Sequence, residues 1–406
     1  MPMADARFAG SFTQQEPIPE AGIAAATEVM RHGRLHRYNL APGEPGEVAL
    51  LEEEFAAYTG ARYCLAVASG GVAMATALRA AGVGPGDVVL SNAFTLAPVP
   101  GAIASLGARP VFVETTEALT IDLEHLGTQA TAHPQARVLL LSHMRGHIAD
   151  MDALTEVAAA HGLTVIEDCA HTMGARWRGV PSGRHGAIGC YSTQTYKHMN
   201  SGEGGLIVTD DPDLAARMIL LSGSYMLYDR HRAAPPPAAF EGLTGEMPNV
   251  SGRMDALRAA VLRPQLIDLD ARCAAWTERY RAVERGLAGA PGISLIARPQ
   301  AEAFVGSSFQ FLLAGWPAER IEAFLAGAGA RGVELKWFGA AEPQGFTSRY
   351  AHWGYARPEP LPKTDRILAG LIDFRLPLTF GLGDCALIAQ ILAEEAARAA
   401  PDIAAE

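Results

Sequence analysis

The chain has 406 residues, 49% hydrophobic and 19% charged, a globular composition that excludes a disordered, collagen-like or coiled-coil protein. Its 33 Lys and Arg against 44 Asp and Glu give a formal charge of -11, which disfavours nucleic acid, a partner that needs a basic face to neutralise phosphates. The five cysteines (Cys64, Cys169, Cys190, Cys273 and Cys385) form no CxxC pair, arguing against a disulfide framework and a zinc site, and no run reaches the roughly 20 apolar residues of a membrane span.

In chain order, a polar lead that lacks the apolar core of a signal peptide comes first, and a cytoplasmic protein is expected from it. Residues 47–59 then carry apolar side chains at helical spacing and stop at Gly60, the pattern of an amphipathic helix with a C-terminal glycine. Short continuous apolar runs at 63–68, 88–90, 110–113, 138–142 and 163–168 alternate with helix-like segments at 72–81, 96–106 and 151–161. Continuous runs mark strands covered on both faces, so an α/β domain with a mostly parallel sheet is expected.

Two further strands, 188–192 and 205–209, flank TQTYKHMNSGEG, and a helix follows at 212–221. Residues 229–252, with Pro235-Pro236-Pro237, lose all period and read as a long functional loop. Helical spacing returns from Arg253 to about Leu287, with Pro264 as an expected kink. A second, smaller α/β unit follows, with strands at 307–313 and 332–337 and helices at 317–327 and 385–399. The division expected is an arm and large domain over 1–250, a linking helix over 251–290 and a small C-terminal domain over 291–406.

Three segments carry candidate chemistry, each where a strand meets a loop. Ser69-Gly70-Gly71 lies between a strand and a helix, where glycines admit a ligand and the helix start offers unpaired amides to an anion; plain packing explains such a turn equally well. Asp168 closes the strand LTVIED, ahead of His171. A carboxylate there is costly unless it meets a cation, a donor or water, and a protonated pyridinium, a solvated strand end or a helix cap each satisfies it. Lys197 stands five residues after Ser192 and ahead of Gly202, Gly204 and Gly205. A confined lysine can lose its proton and attack an aldehyde to form a Schiff base, whereas a surface lysine does neither.

These residues resemble the DegT/DnrJ/EryC1/StrS family of pyridoxal-phosphate-dependent, fold-type-I sugar aminotransferases, from about residue 45 to 395. The likeness is densest over HMRGHIADMDAL (143–154), IEDCAHTMGARWRG (166–179) and Ser192, Lys197 and GEGG (202–205). The branch it resembles includes 3-amino-5-hydroxybenzoate synthase and the scyllo-inosose aminotransferases. The resemblance implies that Lys197 bonds to the cofactor aldehyde and moves the substrate proton. It implies that Asp168 keeps the pyridine nitrogen protonated, that His171 sits beside the phenolate oxygen and that Phe94 stacks on the ring. Ser69, Gly70, Gly71 and Ser192 match the phosphate cup. Asn249 resembles the asparagine that reaches the phosphate from a neighbouring subunit, implying a homodimer with shared active sites.

The chain departs from the family pattern at Gly71, where a threonine is usual, and in the spacing between Asn249 and Arg253. Arg145 and His147 stand where small or apolar residues are expected; they contact an anionic substrate group or line a solvated loop, the second reading being preferred. Lysine rather than histidine at 197 favours transamination over sugar dehydration, and the GEGG register puts Lys197, not His198, on the family position. Arg34, Arg37 and Tyr38 are candidate substrate contacts. Trp276 and Tyr280 read as core or interface, Trp337 and Phe338 as packing. The function expected is amino transfer from an amino acid, glutamate or glutamine, to a keto-sugar, keto-cyclitol or related carbonyl compound. A dehydrating or aromatising lyase on the same cofactor and a non-catalytic regulatory relative are the alternatives.

Overall fold

A computed structural model describes residues 6–399. Its central sheet has seven strands: Tyr63–Val67 (β1), Val88–Asn92 (β2), Arg109–Val113 (β3), Val138–Ser142 (β4), Thr164–Asp168 (β5), Ile188–Ser192 (β6) and Gly205–Thr209 (β7). They lie in the order β1-β7-β6-β5-β4-β2-β3. Only β7 runs antiparallel to its neighbours; the other pairings are parallel or separated by it. The expected mostly parallel α/β sheet is therefore present.

Helices cover both faces, which is why the strands read as unbroken apolar runs. Strand β4 shows the consequence: Leu139 and Leu141 enter one apolar layer with Phe55 and Trp276, while Val138 and Leu140 enter the opposite layer with Leu78 and Ile103. The helix Glu47–Thr59 stops as expected at Gly60, whose φ of 72° is the left-handed cap that glycine adopts without strain.

A second sheet of four antiparallel strands has the order Ser294–Leu295, Ser308–Leu312, Leu371–Arg375, Lys336–Trp337. The helices Leu269–Leu287, Ala318–Ala330 and Leu382–Ala399 pack on it through Tyr280, Phe324 and Leu392. Phe8 and Phe12 from the start of the chain join this core, edge-on to Phe380 at 4.9 and 5.0 Å. The N-terminal segment thus rests on the smaller sheet, not on the central one.

Several elements differ from expectation. The lead contains the helix Glu20–His32, which buries Ala26 and Val29 and puts Val29 against Ala260; its small alanine-rich face carries too weak an apolar period to see. The helix Leu123–Ala132 was also not expected. Pro264 does not break its helix, which continues to Ile267; the chain turns at Asp268 instead. Leu371–Arg375, central in the smaller sheet, was hidden by a charged residue, Asp373, at its midpoint. Among the described residues no helix is long and apolar enough to cross a membrane.

Candidate active site

Because β4, β5 and β6 are parallel, their carboxyl ends lie along one edge of the sheet, where an open α/β sheet places its ligands. They end in Ser142, Asp168 and Ser192. All three line a cavity of about 370 Å³, together with Ser69, Gly70, Gly71, His171 and Lys197. Seven of the nine residues singled out for the site thus meet around one space although up to 128 positions separate Ser69 from Lys197.

Alternation along β5 separates two adjacent carboxylates. Glu167 is fully buried and accepts from the amides of Gly183, His185 and Gly186 at 2.7–2.8 Å and pairs with His143 at 3.0 Å, tying down the following loop. Asp168 faces the cavity, accepting from Ser142 Oγ at 2.9 Å and from the Ala170 amide at 3.1 Å. Burial raises the Asp168 pKa from its ordinary value, against the pull of those two donors. A carboxylate so desolvated is stabilised by a cation brought to it.

Lys197 follows β6 in a tight turn fixed by its own amide donating to Gln194 O at 2.8 Å. Its Nζ lies 2.9 Å from His171 Nε2. Burial, then the charge of Arg145, brings the Lys197 pKa down to about 7, with Asp168 opposing. Burial and the neighbouring Lys197 hold His171 well below the usual imidazole range, so it is neutral at pH 7. At pH 7 Lys197 therefore sits near its titration midpoint beside a neutral imidazole, which accepts from it or donates to it according to the lysine's protonation.

The phosphate-cup candidates form a tight cradle. Ser69 caps the helix Gly70–Ala80, its Oγ accepting from the Val72 amide at 3.1 Å. As first-turn groups, the Gly70 and Gly71 amides have no acceptor within that helix. A Cβ on Gly70 would come within 3.0 Å of the Ser192 Cβ, and one on Gly205 within 2.5 Å of the Ser69 carbonyl oxygen. Glycine at these two places lets β7, the turn and the end of β6 close on one another. At Gly71 a Cβ would meet only Ser69 Oγ at 3.8 Å.

Phe94 and Asn249 lie apart from these seven residues. Phe94 does not line the cavity: it is 1% exposed and its ring packs edge-on against Phe338 at 5.2 Å. Two residues on, Leu96 lines the cavity instead. Asn249 is exposed, spends its Oδ1 on the Ser251 amide at 2.9 Å, and lies outside this cavity. No residue of 222–252 lines it either; Phe240 instead anchors that loop on the sheet's apolar layer.

Arg145 and His147 do not line a solvated loop. His147 is buried against Gln310 Oε1 at 2.9 Å. Arg145 is buried, adopts a left-handed φ of 55°, and pairs with Asp373 at 2.9 Å. A non-glycine residue held there stores strain that the surroundings must offset. Arg34 pairs with Glu44, Arg37 with Glu52, and Tyr38 with His231; none reaches the cavity. Trp276 is core and cavity wall at once, Tyr280 core alone.

Sequence reasoning missed Ser142, Leu96, Gln15, Tyr196, Arg375 and the Arg145–Asp373 pair. Only Asp373 left a signal: a carboxylate inside the apolar run LIDF must have a buried cation.

A model of the DegT/DnrJ/EryC1/StrS aminotransferase family matches residues 18–388. Over 279 residues, 67% of its length, the chain is 37% identical to dTDP-3-amino-3,4,6-trideoxy-alpha-D-glucose transaminase of Streptomyces venezuelae. Over 230 residues, 57% of its length, it is 37% identical to L-glutamine:scyllo-inosose aminotransferase of Streptomyces griseus. These alignments span 66% and 53% of those two proteins, less than two thirds of each. The crystal structure of 3-amino-5-hydroxybenzoic acid synthase superposes with a TM-score of 0.80 at 26% identity, covering 97% of this chain and all of that one.

The family's cofactor is pyridoxal 5′-phosphate, and the residues present fit it. The desolvated Asp168 has no ion pair among the described residues, Lys197 titrates at about 7, and the helix start beside Ser192 has amides to spare for a phosphate. With the match running across most of its length, the chain belongs to the DegT/DnrJ/EryC1/StrS aminotransferase family.

Proposed function

We propose that this protein transfers an amino group from an amino acid, glutamine or glutamate, to a keto-sugar or keto-cyclitol in secondary metabolism. The observation that carries this reading is the Lys197–His171 pair, 2.9 Å apart, opening on the same cavity as Asp168 and the Ser69–Gly71 cradle. The named activities of the Streptomyces relatives support the substrate class.

Pyridoxal phosphate, when bound, supplies an electron sink that stabilises a carbanion next to the transferred nitrogen. Lys197 Nζ, neutral above about pH 7, would hold the cofactor and, once released from it, would accept and return the substrate's proton. Neutral His171 holds that amine at 2.9 Å and orients it. Asp168, fixed by Ser142 and the Ala170 amide, would keep the cofactor's ring nitrogen protonated. Ser69, Ser192 and the amides of Gly70 and Gly71 would hold the phosphate, and Trp276 and Leu96 close the cavity wall.

The same geometry weighs against a non-catalytic relative, since desolvating a lysine is costly and no packing need requires it. We further propose a cytoplasmic homodimer in which Asn249 serves the neighbouring subunit's phosphate, and the division of the chain at about residues 250 and 290. Five unpaired buried cysteines support a reducing compartment. The decisive experiment incubates cofactor-loaded protein with L-glutamine and a panel of keto-cyclitols and keto-sugars. Amine appearing in the acceptor supports the reading; loss of water without consumption of the donor replaces it with a lyase.

A further inference from the structure

Arg145 and Arg375 line the same cavity as Lys197. Arg375 closes the strand Leu371–Arg375, and Lys336 lies beside it on the neighbouring strand, in register with Asp373. Asp373 is fully buried and is shared: Arg145 Nη2 approaches it at 2.9 Å, Lys336 Nζ at 3.5 Å, and Gln310 Nε2 donates to it at 2.8 Å. Three cations thus have one carboxylate between them. Arg375 has no ion pair among the described residues and instead rests over the Tyr196 ring at 3.6 Å, with the Phe346 ring at 5.8 Å. Arg145 Nε is buried without a hydrogen-bond partner, as is Lys336 Nζ.

Arg145 is buried and Arg375 and Lys336 are half-buried, and desolvated cations in surplus are costly unless a ligand supplies the missing charge. Their field reaches the chemistry: Arg145, Arg375 and Lys336 each lower the Lys197 pKa. Arg375 itself is pulled below the usual guanidinium range by burial and by Arg145.

We propose that this wall is a carboxylate subsite: the Arg375 guanidinium, backed by Arg145 and Lys336, binds a carboxylate of a substrate whose carbon skeleton lies against Tyr196 and Phe346. The planar fork of a guanidinium matches a carboxylate edge, and the aromatic rings that hold the guanidinium also give the skeleton an apolar surface. The subsite deepens the aminotransferase reading and rests on it only in calling the ligand a substrate. The carboxylate comes either from the amino donor or from the carbonyl acceptor, and the two sources separate by experiment.

Calorimetric titration of cofactor-loaded enzyme compares cyclohexanecarboxylate with cyclohexanemethanol, which keeps the ring and loses the charge. The carboxylate is expected to bind about 10-fold tighter, with Arg375→Gln abolishing the difference and Arg375→Lys, which keeps the charge, retaining part of it. In parallel, the donor half-reaction with L-glutamine is followed by the cofactor's absorbance. A rise of about 10-fold in half-saturating L-glutamine in Arg375→Gln, partly reversed in Arg375→Lys, assigns the subsite to the donor. An unchanged half-saturation with lost cyclohexanecarboxylate binding assigns it to the acceptor. Equal binding of both probes to the wild type, with unchanged L-glutamine half-saturation in Arg375→Gln, overturns the subsite. A wild type inert to every amino acid while still selecting the carboxylate probe overturns the aminotransferase reading instead.

Discussion

Two buried polar clusters, both containing residues noticed in the sequence, behave in opposite ways. In the first, Arg37 clasps Glu52 with two hydrogen bonds of 2.8 and 2.9 Å, and His231 and the Ala66 amide complete the carboxylate's partners. Glu52 is fully buried, yet Arg37 and His231 overcome desolvation and drive its pKa down to about 2. In the second, Asp168 is buried nearly as well, with only a hydroxyl and an amide, and desolvation wins: its pKa is raised. Lys197 mirrors it, brought down to about 7. Burial alone therefore does not distinguish structure from chemistry. What distinguishes them is whether the partners are inside the protein, as for Glu52, or must arrive through a cavity, as for Asp168 and Lys197.

The contrast is sharpest in Lys197→Ala, which is expected to cut amine transfer by at least about 10³-fold while leaving far-UV circular dichroism unchanged. Residual turnover near wild type would remove Lys197 from the chemistry. The converse variant, Arg37→Met, leaves Glu52 buried without its cation and is expected to destabilise the fold by about 3–5 kcal/mol in chemical denaturation. Its folded fraction should turn over at close to the wild-type rate; a selective loss of kcat would move Arg37 into the functional class.

Asp168→Asn keeps the shape and removes the charge, and about a 10²–10³-fold drop in kcat is expected. The two clusters contribute to stability with opposite sign, Glu52 favourably and Lys197 unfavourably, although both make the fold more stable as pH rises. The Glu52 pKa lies at about 2 in the folded chain, below the ordinary 4.5, so its stabilisation is present above about 4.5 and is lost as pH falls toward 2. Lys197 lies at about 7, below the ordinary 10.5, so in cofactor-free protein it destabilises the fold, fully below about 7 and less as pH rises toward 10.5. Thermal melts of cofactor-free Lys197→Met should thus exceed wild type most below pH 7, the gain fading toward pH 10. A gain independent of pH would mean that Lys197 acts through packing. The smallest effect is expected at Gly71, where the open space admits a side chain. Gly71→Thr should tighten cofactor binding by about 1 kcal/mol, or ~5-fold in Kd, and unchanged affinity would place the phosphate elsewhere.

Legibility along the chain followed the range of the forces involved. The central strands were readable because burial on both faces leaves long apolar runs, and β4, β6 and β7 begin and end where expected. Leu371–Arg375 was not, because Asp373 interrupts the run and is tolerated only through Arg145, Lys336 and Gln310, distant in sequence. Phe94 was given a ring-stacking role by the family resemblance alone; the turn that directs Leu96 into the cavity and the Phe94 ring against Phe338 has no signal in the sequence. Arg145 stood out in the sequence as a charge where a small or apolar residue is usual, but its burial was not legible, since the left-handed backbone at this residue is held by tertiary packing.

By itself, the sequence determined the α/β class and most of the strand and helix order around the site, because these depend on periodicity, and it offered Lys197, Asp168, His171, Ser192 and the Ser69–Gly71 turn as candidates through short motifs at strand ends and the family resemblance they carry. Only the tertiary structure decided which side chains share the cavity, and which buried charges are neutralised. Proton affinities and the surplus of cations at Arg145, Lys336 and Arg375 arise from distances between segments that lie far apart along the chain.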